Sequence, residues 1–333
     1  MPPNEQEDFL RSVERLRPAI RLHCYRMLGS SHDGDDVVQE TLLRAWRAKD
    51  SLGDPDRLRP WLYRIATNVC LDELKRRPRR LLASDASPPS EDAGPPFPRV
   101  EEPVWLEPMP DAWLAGAERA DPHARYALKE SVALAFVAVL QCLSAVQRAT
   151  LLLRDVVGLS AEETAEALGI GVGAANSALF RARAAVEEKL SGCDSNAVAR
   201  HAEVDEALLA QYVRAFEEAN LDAIVALFHD ELRTTMPPVP LWIAGRAGND
   251  RFYRRVFANL RPGEYRHLRV GANGGPALAF YRAPSPGAPH TLSAVQLVTT
   301  REGAVVGIDH FMMPEVLPLF GAPHVLPESA RFV

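Results

Sequence analysis

The segment from Arg57 to Arg80 carries the strongest charge signal in this 333-residue chain. It holds eight arginines and lysines against two acids, a net charge of +6 over 24 residues. Trp61 and Tyr63 lie among these cations. Cations pair with phosphates and aromatic rings stack on unpaired bases, so the combination is typical of a surface for single-stranded nucleic acid. A helix with buried aromatic anchors and a solvated basic end fits the same residues, and both interpretations stay open.

A second candidate for nucleic-acid binding is LSAEETAEALGIGVGAANSALFRARA, residues 159–184, which reads as two helices joined by a glycine-rich turn. One face of its second helix is predicted to be an apolar packing stripe: Val172, Ala175, Leu179, Ala182, Val186 and Leu190. The other face carries short polar groups and arginines that suit base edges and phosphates: Ala174, Asn176, Ser177, Phe180, Arg181 and Arg183. A helical hairpin with a solvated polar face is the alternative.

Acidic residues crowd HDGDDVVQETLLRAW, residues 32–46. Asp33, Asp35, Asp36 and Glu40 fall in the first turns of a predicted helix, where carboxylates interact favourably with the helix dipole. Apolar residues lie on more than one side of this helix. One side can therefore pack inward while another receives a partner protein.

Helices must position these residues. Apolar periodicity predicts helices over residues 8–80 and 122–190, with breaks at 29–31 and 53–55. Gly169 suits the left-handed position after a helix. Two helix starts are marked by capping boxes: Ser144 with Gln147 and Ser160 with Glu163.

The remaining segments differ in composition. Residues 83–103 contain six prolines and predict an extended linker. Over residues 84–121, nine acids stand against two arginines, a net charge of −7. From Asp205 onward, two amphipathic helices precede five short β-type runs separated by turns, which predicts an α+β domain with antiparallel strands.

Composition narrows the class of protein. The net charge of −6 argues against a basic nucleic-acid coat. The four cysteines (Cys24, Cys70, Cys142 and Cys193) are widely spaced, so we expect no disulfide scaffold, metal site or cofactor. The N-terminus does not resemble a signal peptide, and no apolar run reaches the roughly 20 residues of a membrane span. We therefore expect a cytoplasmic protein without a membrane partner.

Together these segments resemble the extracytoplasmic-function (ECF) RNA polymerase sigma factors. DDVVQETLLRAW resembles their core-polymerase-binding helix, and RPWLYRIATNVCLDELKRR resembles the helix that opens and reads the minus-ten element. The glycine-turn hairpin resembles the helix-turn-helix that reads the minus-thirty-five element. One departure concerns Ala174, Asn176 and Ala178, where many members have Thr, Lys and Arg, although the NSAL-RARA pattern is similar to a subgroup with an extra C-terminal domain.

The resemblance implies roles by matching position. The polymerase-binding residues would be Asp35, Asp36, Val38, Gln39, Glu40, Leu43 and Trp46. The residues that handle the minus-ten strand would be Trp61, Tyr63, Arg64, Asn68, Lys75, Arg76 and Arg77. The residues that face the minus-thirty-five element would be Val172, Gly173, Asn176, Ser177, Arg181 and Arg183.

The C-terminal part is similar to a SnoaL-like domain, a cone-like sheet with helices around a pocket. Enolate chemistry in such a fold needs a buried carboxylate base and a partner. Asp309 and His310, with Tyr281 or Tyr265, are the only candidates, and spacing does not bring them together. We therefore expect a non-catalytic regulatory domain, with a small-molecule ligand in the pocket left open.

WLEPMPDAWL resembles the linker motif of sigma factors with this extension. Apolar side chains are costly to leave in water, so Trp105, Leu106, Trp113 and Leu114 should dock between domains. Docking on the neighbouring helices is one possibility, and docking on the C-terminal domain to clasp a closed form is the other. In that form the acidic linker could occupy the basic Arg57–Arg80 segment.

The predicted fold is multi-domain: two all-α sigma domains, the second with a helix-turn-helix, followed by an α+β SnoaL-type domain. The predicted boundaries are 1–82, 83–121 for the linker, 122–192 and 205–326. The predicted function is binding of core RNA polymerase and promoter DNA, with regulation in cis by the last domain. The alternatives are a ligand-sensing helix-turn-helix regulator that acts without polymerase, and a bifunctional protein that turns over a small molecule.

Overall fold

The computed structural model describes residues 3–91, 94, 97, 105–120, 133–192 and 205–327. They fall into two units. The first lies within Met1–Arg80 and Ala112–Asp194, and the second within Leu81–Asp111 and Ser195–Val333. None of the described helices is long and apolar enough to cross a membrane.

The first unit is all helical. Its N-terminal helices are α1 (Pro3–Leu28), α2 (Ser31–Arg47) and α3 (Leu58–Leu74), with 3₁₀ turns at Lys49–Ser51 and Pro55–Arg57. Ser30 caps α2 by accepting a hydrogen bond from the Asp33 N–H, 2.9 Å long. Apolar faces of the three helices meet in a core that includes Ile20, Val38 and Leu62, all fully buried.

The second helical block of this unit follows the predicted signals. Its helices are α5 (Ala112–Ala120), α6 (Leu134–Cys142), α7 (Ala145–Leu151), α8 (Ala161–Leu168) and α9 (Val172–Gly192), with a π-helical turn at Leu152–Val156 after α7. Both predicted capping boxes are present, at Ser144 and Ser160. Gly169 ends α8 at φ 63°, in the left-handed region that favours glycine.

The predicted packing stripe of α9 needs one correction. Val172 is exposed, whereas Ala178, which was placed outside the stripe, is 3% exposed. Ala175, Leu179 and Ala182 are buried as predicted. The buried stripe therefore begins one turn later than the apolar spacing indicated, and the start of α9 is free on its outer side.

The second unit begins with a short helix, α4 (Ala83–Ala86), and continues with α10 (Glu206–Glu217), α11 (Leu221–Ala226) and α12 (Arg246–Val256). Its strands are β1 (Phe228–Met236), β2 (Val239–Ala244), β3 (Tyr265–Ala272), β4 (Gly275–Arg282), β5 (Thr291–Arg301) and β6 (Ala304–Phe311). A 3₁₀ turn follows at Leu317–Phe320. The strands form one sheet in the order β2-β1-β6-β5-β4-β3.

Two features of this sheet differ from the sequence-based expectation. Strand β2 and helix α12 were not predicted. The strands are also not all antiparallel, because β1 and β6 pair in parallel, with Thr234 opposite Ile308. The α+β class itself is confirmed.

Aromatic rings fill the space between α10, α12 and the sheet. Phe216 on α10 lies at the centre, with its ring 5.0 Å from Tyr212, 5.4 Å from Phe257 and 5.5 Å from Phe280. Edge-to-face contacts of this kind add to the stabilisation from buried apolar area. These rings are part of the hydrophobic core between the helices and the sheet.

Candidate polymerase and nucleic-acid interfaces

One stripe of α2 is exposed and mixes acidic, amide and apolar groups. It is formed by residues spaced three, four and three apart: Asp36, Gln39, Leu43 and Trp46. Leu43 is 51% exposed and Trp46 is 37% exposed. Lys49 lies 4.6 Å above the Trp46 ring in a cation–π contact. Helical spacing places these four side chains on one outward face, so α2 offers a ready surface for a partner protein.

Three other residues assigned to polymerase binding lie differently. Val38 is fully buried in the helical core, so it cannot contact a partner in this arrangement, contrary to the expectation. Asp35 forms a 2.7 Å ion pair with Arg21, and Glu40 forms one of the same length with Arg44. These two carboxylates are half-buried on the flank of the exposed stripe.

Trp61 and Tyr63 are buried, which contradicts an open base-stacking surface in this arrangement. The Trp61 ring packs edge-on against Phe9 at 6.2 Å, and the Tyr63 ring packs on His23 at 5.3 Å. Each ring packs against a side chain of α1. The alternative interpretation, a helix with buried aromatic anchors, fits the observed packing of the two rings.

The first turns of the basic segment contact the helix-turn-helix and remain partly exposed to solvent. Glu166 on α8 accepts hydrogen bonds from Arg57 at 2.8 Å and from Arg64 at 3.1 Å. Arg59 donates to the Val157 carbonyl, and Asn68 donates weakly to the Ala167 carbonyl at 3.3 Å. One carboxylate is therefore shared by two arginines of the basic segment, one of which, Arg64, was assigned to the minus-ten strand.

The end of the basic segment divides into exposed and anchored cations. Lys75 and Arg76 are exposed. Arg77 and the buried Arg80 instead pair with Asp33, so Arg77 is partly committed to the fold. Burial alone would raise the pKa of Asp33, but the pairing with Arg80 and Arg77 outweighs it, and the pKa lies below its usual range.

The outer face of α9 is open to solvent. All six residues assigned to the minus-thirty-five element are exposed: Val172, Gly173, Asn176, Ser177, Arg181 and Arg183. Phe180 lies on the same face and is 76% exposed. Arg183 donates two hydrogen bonds to Asp155, at 2.9 and 2.6 Å, which fixes the direction of its guanidinium group.

A buried arginine joins the two helical blocks of the first unit. Arg148 on α7 donates to the Met27 carbonyl at the end of α1. It also donates to the Gln141 side chain at 2.7 Å and to the Gln141 and Leu143 carbonyls at 3.2 and 3.4 Å. Burial lowers the pKa of Arg148 to about 10, so the group stays charged at neutral pH.

The four predicted docking residues are all buried. Trp113 of α5 packs against α1, where the guanidinium carbon of Arg21 lies 4.7 Å from the centre of the Trp113 ring. Gly116 allows α5 to approach α1 closely, because an added Cβ would lie 3.2 Å from Pro18. Trp105 and Leu106 belong to the second unit, and the Leu106 N–H donates to the Leu81 carbonyl.

Next to Trp105, a clasp formed by Met109 and Asp111 holds the β3–β4 hairpin. The Met109 N–H donates to the Asn273 side chain at 2.9 Å, and the Asn273 N–H donates back to the Met109 carbonyl. The Asp111 carboxylate accepts from the Gly274 N–H at 2.6 Å. Asn273 has φ 54° and Gly274 φ 79°, the left-handed pair of a tight hairpin turn.

The described part of the acidic linker contacts the C-terminal domain. Ser90 donates its N–H to the Trp242 carbonyl of β2, and Phe97 packs on Phe252 of α12 at 6.0 Å. These contacts are internal to the second unit, so the expected pairing of the linker with the Arg57–Arg80 segment stays a prediction. Asp92, Glu101, Glu102 and Asp121 lie outside the described residues, as does Cys193.

The four candidate residues for enolate chemistry do not form one set, although Tyr265 and His310 both pack on the Phe280 ring, at 5.9 and 5.2 Å. Asp309 and His310 are adjacent on β6, so their side chains point to opposite faces of the sheet. Asp309 accepts a 2.7 Å hydrogen bond from Thr235, whereas the half-buried His310 contacts Gln296 at 3.3 Å, and desolvation lowers the pKa of its ring to about 4. The Tyr281 hydroxyl donates to the Pro323 carbonyl. Among the described residues, no cluster of three or more His, Cys, Asp or Glu side chains could hold a metal ion.

Sequence reasoning missed Glu166 and Arg148. Glu166 follows the capping residue Glu163 by three positions and looked like an ordinary solvated acid on α8. Arg148 occupies a core position of an apolar helix. That position was the signal available in the sequence, because a buried arginine requires hydrogen-bonding partners. Neither pairing can be read from local spacing, because each joins residues about 100 or more positions apart.

Three family models match the chain. The model described as Sigma-70 region 2 matches residues 12–80, Sigma-70 region 4 matches residues 133–186, and the SnoaL-like domain matches residues 209–308. The helical unit with its helix-turn-helix and the sheet domain therefore define the class of protein as an RNA polymerase sigma factor.

Relatives specify the family. The ECF RNA polymerase sigma factor SigG of Mycobacterium tuberculosis is 39% identical over 320 residues, which cover 96% of this chain and 85% of that protein. SigJ of the same organism is 26% identical over 91% of each chain. The crystal structure of SigJ matches with a TM-score of 0.60 and 23% identity, over 95% of this chain and 99% of that one, which shows the shared fold.

The chain thus belongs to the extracytoplasmic-function family of RNA polymerase sigma factors. It binds core RNA polymerase and directs promoter-specific transcription initiation, and it carries a SnoaL-like domain after the sigma regions. The resemblance and the fold class inferred from the sequence are confirmed.

Proposed function

We propose that the exposed stripe of α2 is the surface by which this sigma factor docks on core polymerase. The stripe unites two apolar anchors, Leu43 and Trp46, with the polar groups of Asp36 and Gln39. Large aromatic anchors within such a patch commonly dominate binding free energy. The solvent exposure of Leu43 and Trp46 on this stripe is the observation on which the proposal rests.

Co-elution of the full chain with purified core enzyme tests this assignment. Trp46→Ala should weaken binding at least tenfold, because truncation removes an aromatic anchor. Leu10→Ala is the matched control, since Leu10 is exposed to a similar degree on α1. Binding that both variants retain equally would refute the assignment, and a promoter gel shift that needs no core enzyme would favour the ligand-sensing regulator.

We propose further that promoter contacts come from two surfaces. Unpaired minus-ten strand would meet the polar and basic residues of α3 and its end: Arg64, Asn68, Lys75, Arg76 and Arg77. Duplex minus-thirty-five DNA would meet the exposed face of α9. Trp61 and Tyr63 are core residues here, and stacking on a base would require both rings to leave the core. The residue roles and the domain boundaries 1–82, 83–121, 122–192 and 205–326 stay predictions.

We infer that the free chain is held in a closed state in which the two helical blocks mask each other. Support comes from Glu166, which occupies Arg57 and Arg64, and from Arg148, which binds the end of α1. A carboxylate and a phosphate make the same kind of bond to arginine, so DNA and Glu166 compete. Polymerase and promoter must therefore separate α8 from α3.

The C-terminal domain is proposed to regulate this step in cis and to be non-catalytic. Support comes from the clasp of Met109 and Asp111 on the β3–β4 hairpin, since Asp111 is followed directly by α5. Deletion of the residues after Cys193 should change promoter-dependent run-off transcription. Unchanged transcription would remove the regulatory role, and turnover of a small molecule that Asp309→Asn abolishes would favour a bifunctional protein.

A further inference from the structure

A pocket of about 790 Å³ opens at the end of the sheet where β3 begins, β4 ends and β5 begins. Three segments form it: residues 261–264 before β3, residues 283–290 between β4 and β5, and residues 325–327 near the end of the described chain. It lies apart from the hydrophobic core between the helices and the sheet. No role inferred above for the C-terminal domain uses these segments.

Hydrogen bonds fix the walls of this pocket. The Gly263 N–H donates to the Glu217 carbonyl, and the Ala283 N–H donates to the Glu264 carbonyl. The His290 ring bonds through Nε2 to the Gly263 carbonyl at 2.8 Å, and the Leu326 N–H donates to the His290 carbonyl. The three segments therefore support one another, and the pocket is formed before any ligand arrives.

The charge on the pocket is positive. Buried Glu264 is shared by Arg261, at 3.2 Å, and by Arg282, at 3.0 Å, so its single negative charge is already matched. Arg266 also lines the pocket, and its guanidinium forms no hydrogen bond or ion pair with any residue that the structure describes. Glu217 is within electrostatic reach of Arg266, but its carboxylate lies beside His267, 3.6 Å from the ring. Arg266 is thus a half-buried cation open to an anion.

The rest of the lining is apolar. Val325 is 46% exposed although it is a large hydrophobic residue, and Leu326 and four prolines complete the wall. Binding sites for small molecules typically combine such apolar lining with a few fixed polar groups that orient the ligand. This pocket has both parts.

We propose that this pocket binds a small molecule that carries one oxyanion group, a carboxylate or a phosphate, on a short apolar body. Arg266 takes the oxyanion, with Arg261 held nearby by Glu264, and Val325 and Leu326 cover the apolar body. Arginine forms charge-assisted, often bidentate hydrogen bonds with both kinds of oxyanion, which is why the two head groups share one site.

Isothermal titration calorimetry on the full chain tests the proposal with four probes. Octanoate and octyl phosphate carry both parts of the expected ligand, 1-octanol lacks the charge, and inorganic phosphate lacks the apolar body. At least one anionic amphiphile should bind at a single site with a Kd below about 1 mM. 1-Octanol and inorganic phosphate should each bind at least tenfold more weakly.

Matched variants locate the site. Arg266→Gln should weaken amphiphile binding at least tenfold. Arg251→Gln should leave it unchanged, because Arg251 is an exposed arginine of α12 that lines a different cavity. Val325→Asp, at an exposed position, gives a second test should Arg266→Gln fail to fold, and it should also abolish binding.

Three results would overturn the proposal. They are no binding of either amphiphile, equal binding by the two arginine variants, and binding of 1-octanol or inorganic phosphate as tight as that of the amphiphiles. The measurement contains no polymerase or promoter, so its outcome is independent of the proposed regulation in cis.

Discussion

Glu166→Gln should shift the first unit towards an open state in which α8 and α3 separate. The carboxylate of Glu166 is half exposed, and so are its partners Arg57 and Arg64. Exposed ion pairs contribute about 0.2–1 kcal/mol each, so the two together stabilise the closed state by about 0.5–2 kcal/mol. Loss of that free energy raises the open-to-closed ratio by a factor of about 2 to 30.

Paired spin labels on α3 and α8 measure this ratio as a distance distribution. The population at long distance should grow in Glu166→Gln by the factor above. Added salt should move the wild-type distribution the same way, since exposed charges are screened. Glu188→Gln is the matched control, because it removes the same charge from an exposed site on α9. An unchanged distribution in Glu166→Gln, or an equal change in both variants, would refute the reasoning.

Three further perturbations have defined outcomes. Arg148→Met should lower the unfolding free energy by about 2–4 kcal/mol in urea titrations, because it leaves buried carbonyl groups without a donor; a loss below about 0.5 kcal/mol would contradict its role. Asp33→Asn should destabilise the protein at pH 7 but not at strongly acidic pH. The pKa of Asp33 is lower in the folded than in the unfolded protein, so its ion pairs contribute their full stability above the unfolded pKa of about 3.9. That stability is lost as the pH falls through the folded pKa. A difference in unfolding free energy between wild type and Asp33→Asn that persists at acid pH would contradict the assignment of this stability to the ionised Asp33. Gly271→Ala should open the clasp, because an added Cβ would lie 2.8 Å from two carbon atoms of the Asp111 side chain; hydrogen exchange at the Gly274 amide should accelerate, and unchanged exchange would show that the clasp tolerates the methyl group.

The helices of the first unit were predictable because their signals are local. A four-residue capping pattern marks the helix starts at Ser144 and Ser160, and Gly169 marks the end of α8. Helix α12 gave no such signal, because RAGNDRFYRRV has few apolar residues and its buried face consists of Asn249, Phe252 and Tyr253. The parallel pairing of β1 with β6 joins segments about 75 residues apart, and nothing in either segment specifies its partner.

Among the site residues, too, only the features that depend on local sequence could be predicted. The outward stripe of α2 and the open face of α9 follow from helical spacing, so the residue types on them were visible in the sequence. Burial of Val38, Trp61 and Tyr63 was not visible, because it depends on how α1 packs across α2 and α3. A side chain with an apolar ring and a polar edge suits both a core and a nucleic-acid surface, and only the neighbouring helix decides between them.

The closed state cannot rest on Glu166 alone. A closed state favoured 99:1 over the open state has a free-energy preference of about 2.7 kcal/mol, half of the roughly 5.5 kcal/mol that would invert the equilibrium. The ion pairs of Glu166 supply at most about 2 kcal/mol of the closed-state preference. The remainder must come from contacts that only the closed form makes in a dry environment, and the bonds of Arg148 to the end of α1 are of that kind. We therefore expect Glu166 to set how readily DNA competes for Arg57 and Arg64, while Arg148 sets whether the two helical blocks stay together at all.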